Sequence, residues 1–332
     1  MRTHMKIGVV LCLFIFMNRV FADPQLILPL KCTTGTDCWI PNYVDVDPSR
    51  KAVDFTCGKQ TYNGHKGTDF AIRDRATMDR GVDVIAAAAG TVMRIRDGMP
   101  DETSLNEHRR QWLVKNNQAC GNGVVLDHGS GWRTQYCHLR RGSILVQPGV
   151  MVKAGDRLGL VGQSGMAEFP HVHLSVLKDG RYVDPFTGAA NDEGCHKPEN
   201  RLWHDTANPL YQPFSIYAAG FTGGVPDFDR LYLDATPSKY LDSHVATLSF
   251  WAMVFGLSQG DQILMEIRDP ENRLYAERKI LQKKNMARQS YYIGRRSRGV
   301  KTGTWTGTIR VIRKTGSVHT IERKLTTSVI AN

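Results

Sequence analysis

The sequence predicts an all-β protein made of antiparallel sheets, for three reasons. Between about residues 30 and 200, short apolar runs are separated by glycine, and no run has the length and period of an amphipathic helix. Between about residues 229 and 330, further segments alternate between apolar and polar residues. Turn sequences such as Asp269-Pro270-Glu271-Asn272 separate these segments. We therefore expect two β domains in one chain.

The amino terminus has the features of a secretory signal. Arg2 and Lys6 precede an apolar run over residues 7–17, and residues 20–22 end on a small side chain before Asp23. The apolar run is too short to span a bilayer. The sequence thus predicts a signal peptide at residues 1–22 and export to the periplasm or the extracellular space.

Six cysteines follow the predicted signal, and an even number in an exported chain predicts disulfide bonds. Residues 124–127 and 133–136 flank a glycine-containing turn at residues 128–132, which is typical of a β-hairpin. In that hairpin Cys120 and Cys137 lie nearly opposite each other, so we expect them to be bonded. The other four cysteines allow three pairings, among which the sequence does not choose: Cys32, Cys38, Cys57 and Cys195.

The first predicted domain covers residues 23–200, with a core at residues 60–180. Its apolar strand candidates are residues 84–89, 90–95, 123–126, 158–161 and 172–177. Residues 97–119 interrupt this pattern. We interpret them as an insertion near the predicted functional site, with a short helix over residues 107–116. Residues 201–228 are rich in proline and glycine and are interpreted as a linker.

The second predicted domain, residues 229–332, is expected to be an immunoglobulin-like β-sandwich. Its strand candidates are residues 246–255, 262–268, 289–293, 305–312 and 318–325. The formal net charge of the whole chain is +11, and residues 221–332 contain 18 basic and 10 acidic side chains. This basic excess includes Arg278–Lys301, which is either a solvated strand edge or a surface that binds anions. For an exported protein, we expect anionic wall or envelope polymers as partners and no nucleic acid.

Two short motifs contain residues that can hold a metal ion. His65 and Asp69 lie in Gly64-His65-Lys66-Gly67-Thr68-Asp69, with Asp69 on a predicted strand over residues 68–72. Zinc accepts both an imidazole nitrogen and a carboxylate oxygen. By itself this pair is more typical of a structural hydrogen bond between histidine and aspartate than of a metal site.

Three more histidines complete the candidate set. His171 and His173 are two residues apart in a predicted strand, so both imidazoles lie on one face of the sheet. His138 follows Tyr136 at the same spacing, and a regular strand would turn these two side chains the same way. The pair in residues 171–173 favours metal binding or proton transfer, and the alternative is an exposed polar face. His138 by itself is more typical of a hydrogen-bonded structural histidine, and the other histidines make it a candidate proton donor or acceptor.

Together these motifs resemble the lysostaphin-type (LytM-domain) zinc endopeptidases, which cut peptidoglycan cross-bridges. The resemblance rests on Gly-His-x-Gly-x-Asp, Tyr-x-His and His-x-His in this order, together with the sequences at residues 152–156 and 160–165. It covers about residues 60–180, and it implies a barrel-sandwich type of antiparallel sheet for this core.

The resemblance also implies a role for each site residue. It implies one Zn²⁺ per chain, held by His65, Asp69 and His173, with His138 and His171 as catalytic residues beside the metal. Three protein ligands leave a coordination position open for water, which suits hydrolysis of a peptide bond. The implied substrate is a stem or cross-bridge peptide of peptidoglycan. The alternative is a noncatalytic peptidoglycan-binding protein or a regulator of other wall hydrolases.

Overall fold

The computed structural model describes residues 23–102, 105–195, 200–207, 209–296, 299–315 and 317–330. The predicted signal peptide at residues 1–22 lies outside these residues. Within them the chain is mostly antiparallel β structure, and the predicted all-β class is confirmed.

The first half of the chain contains ten strands. They are β1 Cys38–Asn42, β2 Thr68–Ile72, β3 Asp83–Ile85, β4 Gly90–Arg96, β5 Asn122–Gly129, β6 Trp132–Leu139, β7 Met151–Val152, β8 Arg157–Leu160, β9 His171–Lys178 and β10 Arg181–Val183. Eight of them form one sheet in the order β1-β2-β9-β6-β5-β4-β7, with β10 paired to β9, while β3 and β8 form a separate ribbon. The hairpin predicted from residues 124–136 is the β5–β6 pair.

The large sheet has two chemically different faces, because side chains alternate along each strand. Phe70, Tyr136 and Leu174 are fully buried in the main hydrophobic core on one face. The opposite face, which we call the site face, carries Asp69 and His173, which are paired across β2 and β9. His171 and His173 therefore lie on the same face of the sheet, as their spacing in the sequence predicts.

The described residues include three short α-helices. Two lie in the first half of the chain, α1 Arg75–Arg80 and α2 Glu107–Lys115, and one in the second half, α3 Phe228–Leu233. Helix α2 confirms the helix predicted in the insertion, and the Asn106 side chain caps it by accepting a hydrogen bond from the Arg109 amide. Among the described residues, no helix has the length and hydropathy needed to cross a membrane.

Three disulfide bonds fix the first half of the chain. The predicted Cys120–Cys137 bond is present. The other two bonds are Cys32–Cys38, which joins a loop to the first residue of β1, and Cys57–Cys195, with a sequence separation of 138. The Cys57–Cys195 bond therefore connects two segments of the first region that are far apart in the sequence.

The second half of the chain forms two further sheets. Its strands are β11 Ser215–Thr222, β12 Tyr240–Asp242, β13 Thr247–Leu257, β14 Gln262–Arg268, β15 Leu274–Leu281, β16 Met286–Arg296, β17 Gly303–Thr315 and β18 Ser317–Ile330. The sheets have the orders β11-β13-β16 and β12-β18-β17-β14-β15. A common core that includes Phe250, Ile263 and Ile309 lies between them. The immunoglobulin-like assignment stays a prediction.

The linker predicted at residues 201–228 is wrong for residues 215–222. These residues form β11, which pairs with β13 from Ser215 opposite Phe255 to Thr222 opposite Ser249. The strand is buried on both faces, so it lacks the polar alternation that marks a half-exposed strand. The prolines and glycines that suggested a linker lie mainly at its two ends.

The second half of the chain packs directly against the site face of the large sheet. A separate aromatic core joins Trp39, Ala71 and Phe169 to residues of the three-stranded sheet that include Trp251 and Phe255. Trp39 pairs with Ala71, and Ala71 pairs with His171 across β2 and β9. The second domain is thus in contact with the sheet next to a candidate site residue.

Candidate active site

The three predicted metal ligands converge on one point of the site face. Asp69 and His173 are directly opposite each other in the β2–β9 ladder, and His65 enters from the loop that precedes β2. Asp69 Oδ1 lies 2.9 Å from His173 Nδ1 and 3.1 Å from His65 Nε2, and the two ring nitrogens are 3.0 Å apart. The fold therefore brings together residues that are up to 108 positions apart in the chain.

Each of these side chains is oriented by a second hydrogen bond. His65 Nδ1 lies 2.6 Å from the Tyr43 carbonyl oxygen, so Nδ1–H donates and Nε2 points to the convergence point. His173 Nε2 lies 3.0 Å from Ser175 Oγ, which leaves Nδ1 facing inward. Asn42 Nδ2 donates to Asp69 Oδ2 at 2.9 Å, so Oδ1 stays available. Supporting contacts of this kind fix the ring orientation at metal sites.

The donor set fits a divalent transition metal. Two imidazole nitrogens and one carboxylate oxygen are the ligands that zinc takes at about 2.0–2.2 Å. Ligand atoms at that radius around one tetrahedral ion lie roughly 3.3–3.6 Å apart, and the three atoms here are only slightly closer. Gly67 leaves room for the His173 ring, because a Cβ there would lie 2.5 Å from His173 Nε2.

The charge of Asp69 controls the electrostatics of the cluster. Burial alone would raise the pKa of Asp69, but His65, His171 and His173 together hold it well below its ordinary value. Burial lowers the pKa of His173, whereas at His65 the Asp69 carboxylate outweighs burial and raises the pKa. The site therefore keeps an ionised carboxylate among imidazoles, which is the charge state that a metal cation requires.

His138 reaches the site through a β-bulge and not through strand alternation. Cys137 and His138 of β6 lie opposite the single residue Gly123 of β5, and His138 has a φ of 66°. A Cβ at Gly123 would lie 2.5 Å from the Tyr136 carbonyl oxygen, so the bulge depends on this glycine. The expectation that Tyr136 and His138 face the same way is wrong. Tyr136 lies in the core, and the bulge turns His138 to the site face.

His138 and His171 form a second pair beside the three ligands. Their ring centroids are 4.6 Å apart, and each Nδ1–H donates to a backbone carbonyl oxygen, of Ser164 at 2.7 Å and of Phe169 at 2.8 Å. Both Nε2 atoms are consequently left for other partners, and His171 Nε2 lies 3.6 Å from Asp69 Oδ1. Burial, followed by the neighbouring histidines, lowers the pKa of His138 well below its ordinary value.

A cavity of about 320 Å³ adjoins these residues and has walls from three parts of the chain. Asp69 and His171 lie at its base, and Arg110 of the insertion helix pairs with Glu168 at its edge. The far wall is formed by residues 285–288 at the start of β16. The predicted insertion thus borders the site, and the second domain contributes to the cavity as well.

The basic segment Arg278–Lys301 is not one continuous surface. The guanidinium of Arg288 lies 3.9 Å from the Tyr232 ring centroid and 5.5 Å from that of Phe169, at the junction of the two domains. Lys283 and Lys284 are exposed in the connection between β15 and β16. Binding of an anionic wall or envelope surface here stays a prediction.

Sequence reasoning missed the residues that orient the ligands. Ser175 follows His173 by two residues, so strand alternation places its side chain on the site face. This spacing is a signal in the sequence that could have identified Ser175 as a residue near the ligands. Asn42 gives no comparable signal, because it comes from β1 and is 27 positions from Asp69.

Part of this chain is similar to known peptidases. Residues 63–185 match the family model described as peptidase family M23. The peptidoglycan DD-endopeptidase ShyA of Vibrio cholerae is 32% identical over 120 residues, which are 36% of this chain and 22% of that protein. ShyB, a peptidoglycan DD-endopeptidase of the same organism, is 39% identical over 72 residues, or 22% of this chain and 16% of that protein. The chain thus spans only about a fifth of the length of these relatives.

Among solved structures, a zinc-containing peptidase from Vibrio cholerae is 26% identical, with a TM-score of 0.32, over 49% of this chain and 39% of that one. The segment that matches the family model contains all five site residues: His65, Asp69, His138, His171 and His173. Residues 63–185 of this chain therefore form a domain of peptidase family M23.

Proposed function

We propose that this chain is a zinc-dependent endopeptidase that hydrolyses the peptide cross-links of bacterial peptidoglycan. The observation that carries the proposal is the convergence of His65 Nε2, Asp69 Oδ1 and His173 Nδ1 within 3.1 Å of one another on the site face. The two relatives named as peptidoglycan DD-endopeptidases, each matched over a limited segment, support the substrate class.

In this proposal His65, Asp69 and His173 hold one Zn²⁺. Bound zinc supplies Lewis-acid chemistry, which activates water for attack on a carbonyl carbon. The carboxylate of Asp69 offsets part of the metal charge, and Asn42 and Ser175 keep the ligand atoms aimed inward.

His138 and His171 are the proposed catalytic residues. With Nδ1–H donated to the backbone, each neutral ring has a lone pair on Nε2, which can accept a proton from water or return one to the leaving amine. In its protonated form, either ring can also donate a hydrogen bond to the oxyanion that develops on the carbonyl oxygen. Both rings are buried, so these interactions act with little competition from solvent.

We further propose that the chain acts after export, in the periplasm or outside the cell. Three disulfide bonds support this location, because such bonds persist in oxidising compartments. The substrate of a peptidoglycan hydrolase lies in the same place. We also propose that the chain has two domains. The first ends at about residue 200, and the second is a basic β-sandwich.

The test uses the purified full chain and three alanine variants. The wild type is expected to contain about one zinc per chain and to release soluble fragments from purified peptidoglycan. His173→Ala should lose both zinc and activity, whereas His138→Ala and His171→Ala should retain zinc and lose activity. A zinc-loaded wild type that binds peptidoglycan and releases nothing would support the noncatalytic alternative and refute the proposal.

A further inference from the structure

A second cavity, of about 480 Å³, lies on the site face away from the metal ligands. Its lining includes two arginines of β4, Arg94 and Arg96, with Gln135 and Tyr182 on the opposite side. No aspartate or glutamate is among the described residues that line it. The cavity is therefore a cationic depression on the same sheet as the candidate active site.

The strand register connects the two places. Ser175, two residues after His173, pairs with Gln135 of β6. Gln135 pairs with Val125 of β5, and Val125 pairs with Arg94 of β4. Residues paired across an antiparallel sheet point to the same face. One row of side chains thus runs across the site face from Ser175, two residues along β9 from the ligand His173, to Arg94.

The strand register also gives the distance between the metal centre and the two arginines. Three strand spacings of about 4.8 Å separate β9 from β4, which gives roughly 14 Å. An extended peptide advances about 3.3–3.6 Å per residue. Since Ser175 lies two residues along β9 from His173, the diagonal from the metal centre is roughly 16 Å, and an extended peptide reaches the arginines after about four to five residues.

The two arginines differ in how they are held. Arg96 Nε donates to the Gly121 carbonyl oxygen at 2.6 Å and Nη1 donates to that of Asn117 at 3.1 Å, so this side chain is fixed in place. Arg94 is exposed. Among the described residues, neither guanidinium forms an ion pair with a carboxylate. Their positive charges are thus available to a ligand.

A third cation lies at the side of the same depression. Lys66 Nζ lies 5.0 Å from the ring centroid of Tyr182, which lines the cavity. Lys66 follows the ligand His65 in the chain, so positive charge extends along the cavity edge toward the metal centre. An acidic ligand fits this distribution of charge better than a neutral or basic one.

We propose that the Arg94–Arg96 cavity is a substrate subsite for a peptide carboxylate about four to five residues from the scissile bond. The planar guanidinium group forms paired hydrogen bonds with a carboxylate, which gives both affinity and orientation. The ligand class is an acidic peptide. The inference rests on the proposed function, because the scissile bond is placed at the metal centre.

The test measures binding, so that its outcome does not depend on cleavage. Two fluorescent linear peptides of the peptidoglycan stem type are compared, one with free carboxylates and one with the same groups converted to amides. Fluorescence anisotropy with the full chain should give a Kd about five- to tenfold lower for the free acid, and this preference should shrink as salt is added.

Variants of Arg94 identify the group responsible. Arg94→Gln should abolish the preference and Arg94→Lys should keep part of it, while Arg50→Gln, which removes an equal exposed charge elsewhere, should leave it unchanged. Arg96 is left intact because it holds the backbone of residues 117–121. Equal binding of both peptides by the wild type, or full preference in Arg94→Gln, would overturn the subsite.

A parallel cleavage assay separates this inference from the proposed function. This assay uses cross-linked versions of the free-acid and amide peptides. Cleavage of both with equal kcat/KM, and no binding preference, would contradict the subsite and leave the endopeptidase in place. A binding preference in a chain that cleaves neither peptide would support the subsite and contradict the endopeptidase. In cleavable peptides, moving the carboxylate nearer to the scissile bond should remove its advantage.

Discussion

The backbone carbonyl oxygen of Phe169 accepts the Nδ1–H of His171 at 2.8 Å, and the Phe169 ring lies 5.0 Å from the imidazole, between centroids. The same ring packs against Phe255 of the second domain, with centroids 5.1 Å apart. The orientation of a proposed catalytic residue is thus supported from outside the M23 domain. The second half of the chain therefore contributes to the candidate site.

We expect Phe255→Ala to lower kcat about ten- to hundredfold, because Phe169 and therefore His171 lose their support. The free energy of unfolding should fall by about 3–5 kcal/mol from the loss of a buried ring. Zinc content should not change. Urea unfolding, metal analysis and steady-state kinetics on the folded protein measure the three quantities.

Phe221→Ala is the matched control, because Phe221 is equally buried in the core between the two C-terminal sheets. It should lower stability similarly and leave kcat unchanged. If both variants reduce kcat to the same extent, the effect belongs to general destabilisation and the supporting role of Phe255 is lost.

The Cys120–Cys137 disulfide adjoins the bulge that carries His138, and the His138 amide donates to the Cys120 carbonyl oxygen at 2.8 Å. Replacing both cysteines by serine should cost about 3 kcal/mol of stability for a loop of this length and should also lower kcat. Replacing Cys32 and Cys38 together should cost about 2 kcal/mol without an effect on kcat. A fully active Cys120/Cys137 double variant would show that the bulge holds His138 unaided.

Asn42 and Ser175 should control zinc affinity without binding zinc themselves. Asn42→Ala and Ser175→Ala each remove one hydrogen bond that orients a ligand, so we expect zinc to bind about 10- to 100-fold more weakly. Competition with a chelator of known affinity measures this change. Unaltered zinc affinity in both variants would mean that the backbone alone aligns Asp69 and His173.

Asp184 should make stability depend on pH. Burial raises the pKa of this carboxyl from 3.8 to about 7. Its Oδ1 accepts hydrogen bonds from the amides of Phe186 and Thr187, and Oδ2 has no partner among the described residues. The folded chain thus keeps this proton to a higher pH than the unfolded chain does. Stability should fall as the pH rises from about 4 to about 7, by up to roughly 4 kcal/mol.

Asp184→Asn removes this titration. Urea unfolding at several pH values between 4.5 and 7.5 should show a shallower decline for the variant than for the wild type. Equal slopes would mean that the carboxyl is ionised in the folded protein across this range.

Local sequence patterns predict many features of the first half of the chain. Strand alternation placed His171 and His173 on one face, and the hairpin signal gave the Cys120–Cys137 bond. The position of His138 could not be predicted in the same way, because it depends on a bulge that forms only where Gly123 meets the backbone of Tyr136. Parity arguments fail where a strand gains an extra residue.

Long-range packing explains the other errors. Residues 215–222 lie in a segment rich in proline and glycine, which predicts a linker. Both faces of β11 are buried, one in each of two hydrophobic cores, so no alternating pattern indicates a strand there. The contact of Phe169 with Phe255 joins residues far apart in the chain. No pattern within either segment indicates this contact.

We propose that this chain breaks a peptide bond in peptidoglycan cross-links by means of the His65–Asp69–His173 centre. Mass spectrometry of fragments released from purified, cross-linked peptidoglycan tests this proposal, with His173→Ala as the control. We predict fragments from the wild type in which one cross-link amide has been hydrolysed to a new amine and a new carboxylate, and none from His173→Ala. Fragments cut only in the glycan strand, or the same peptide products from His173→Ala, would contradict the account.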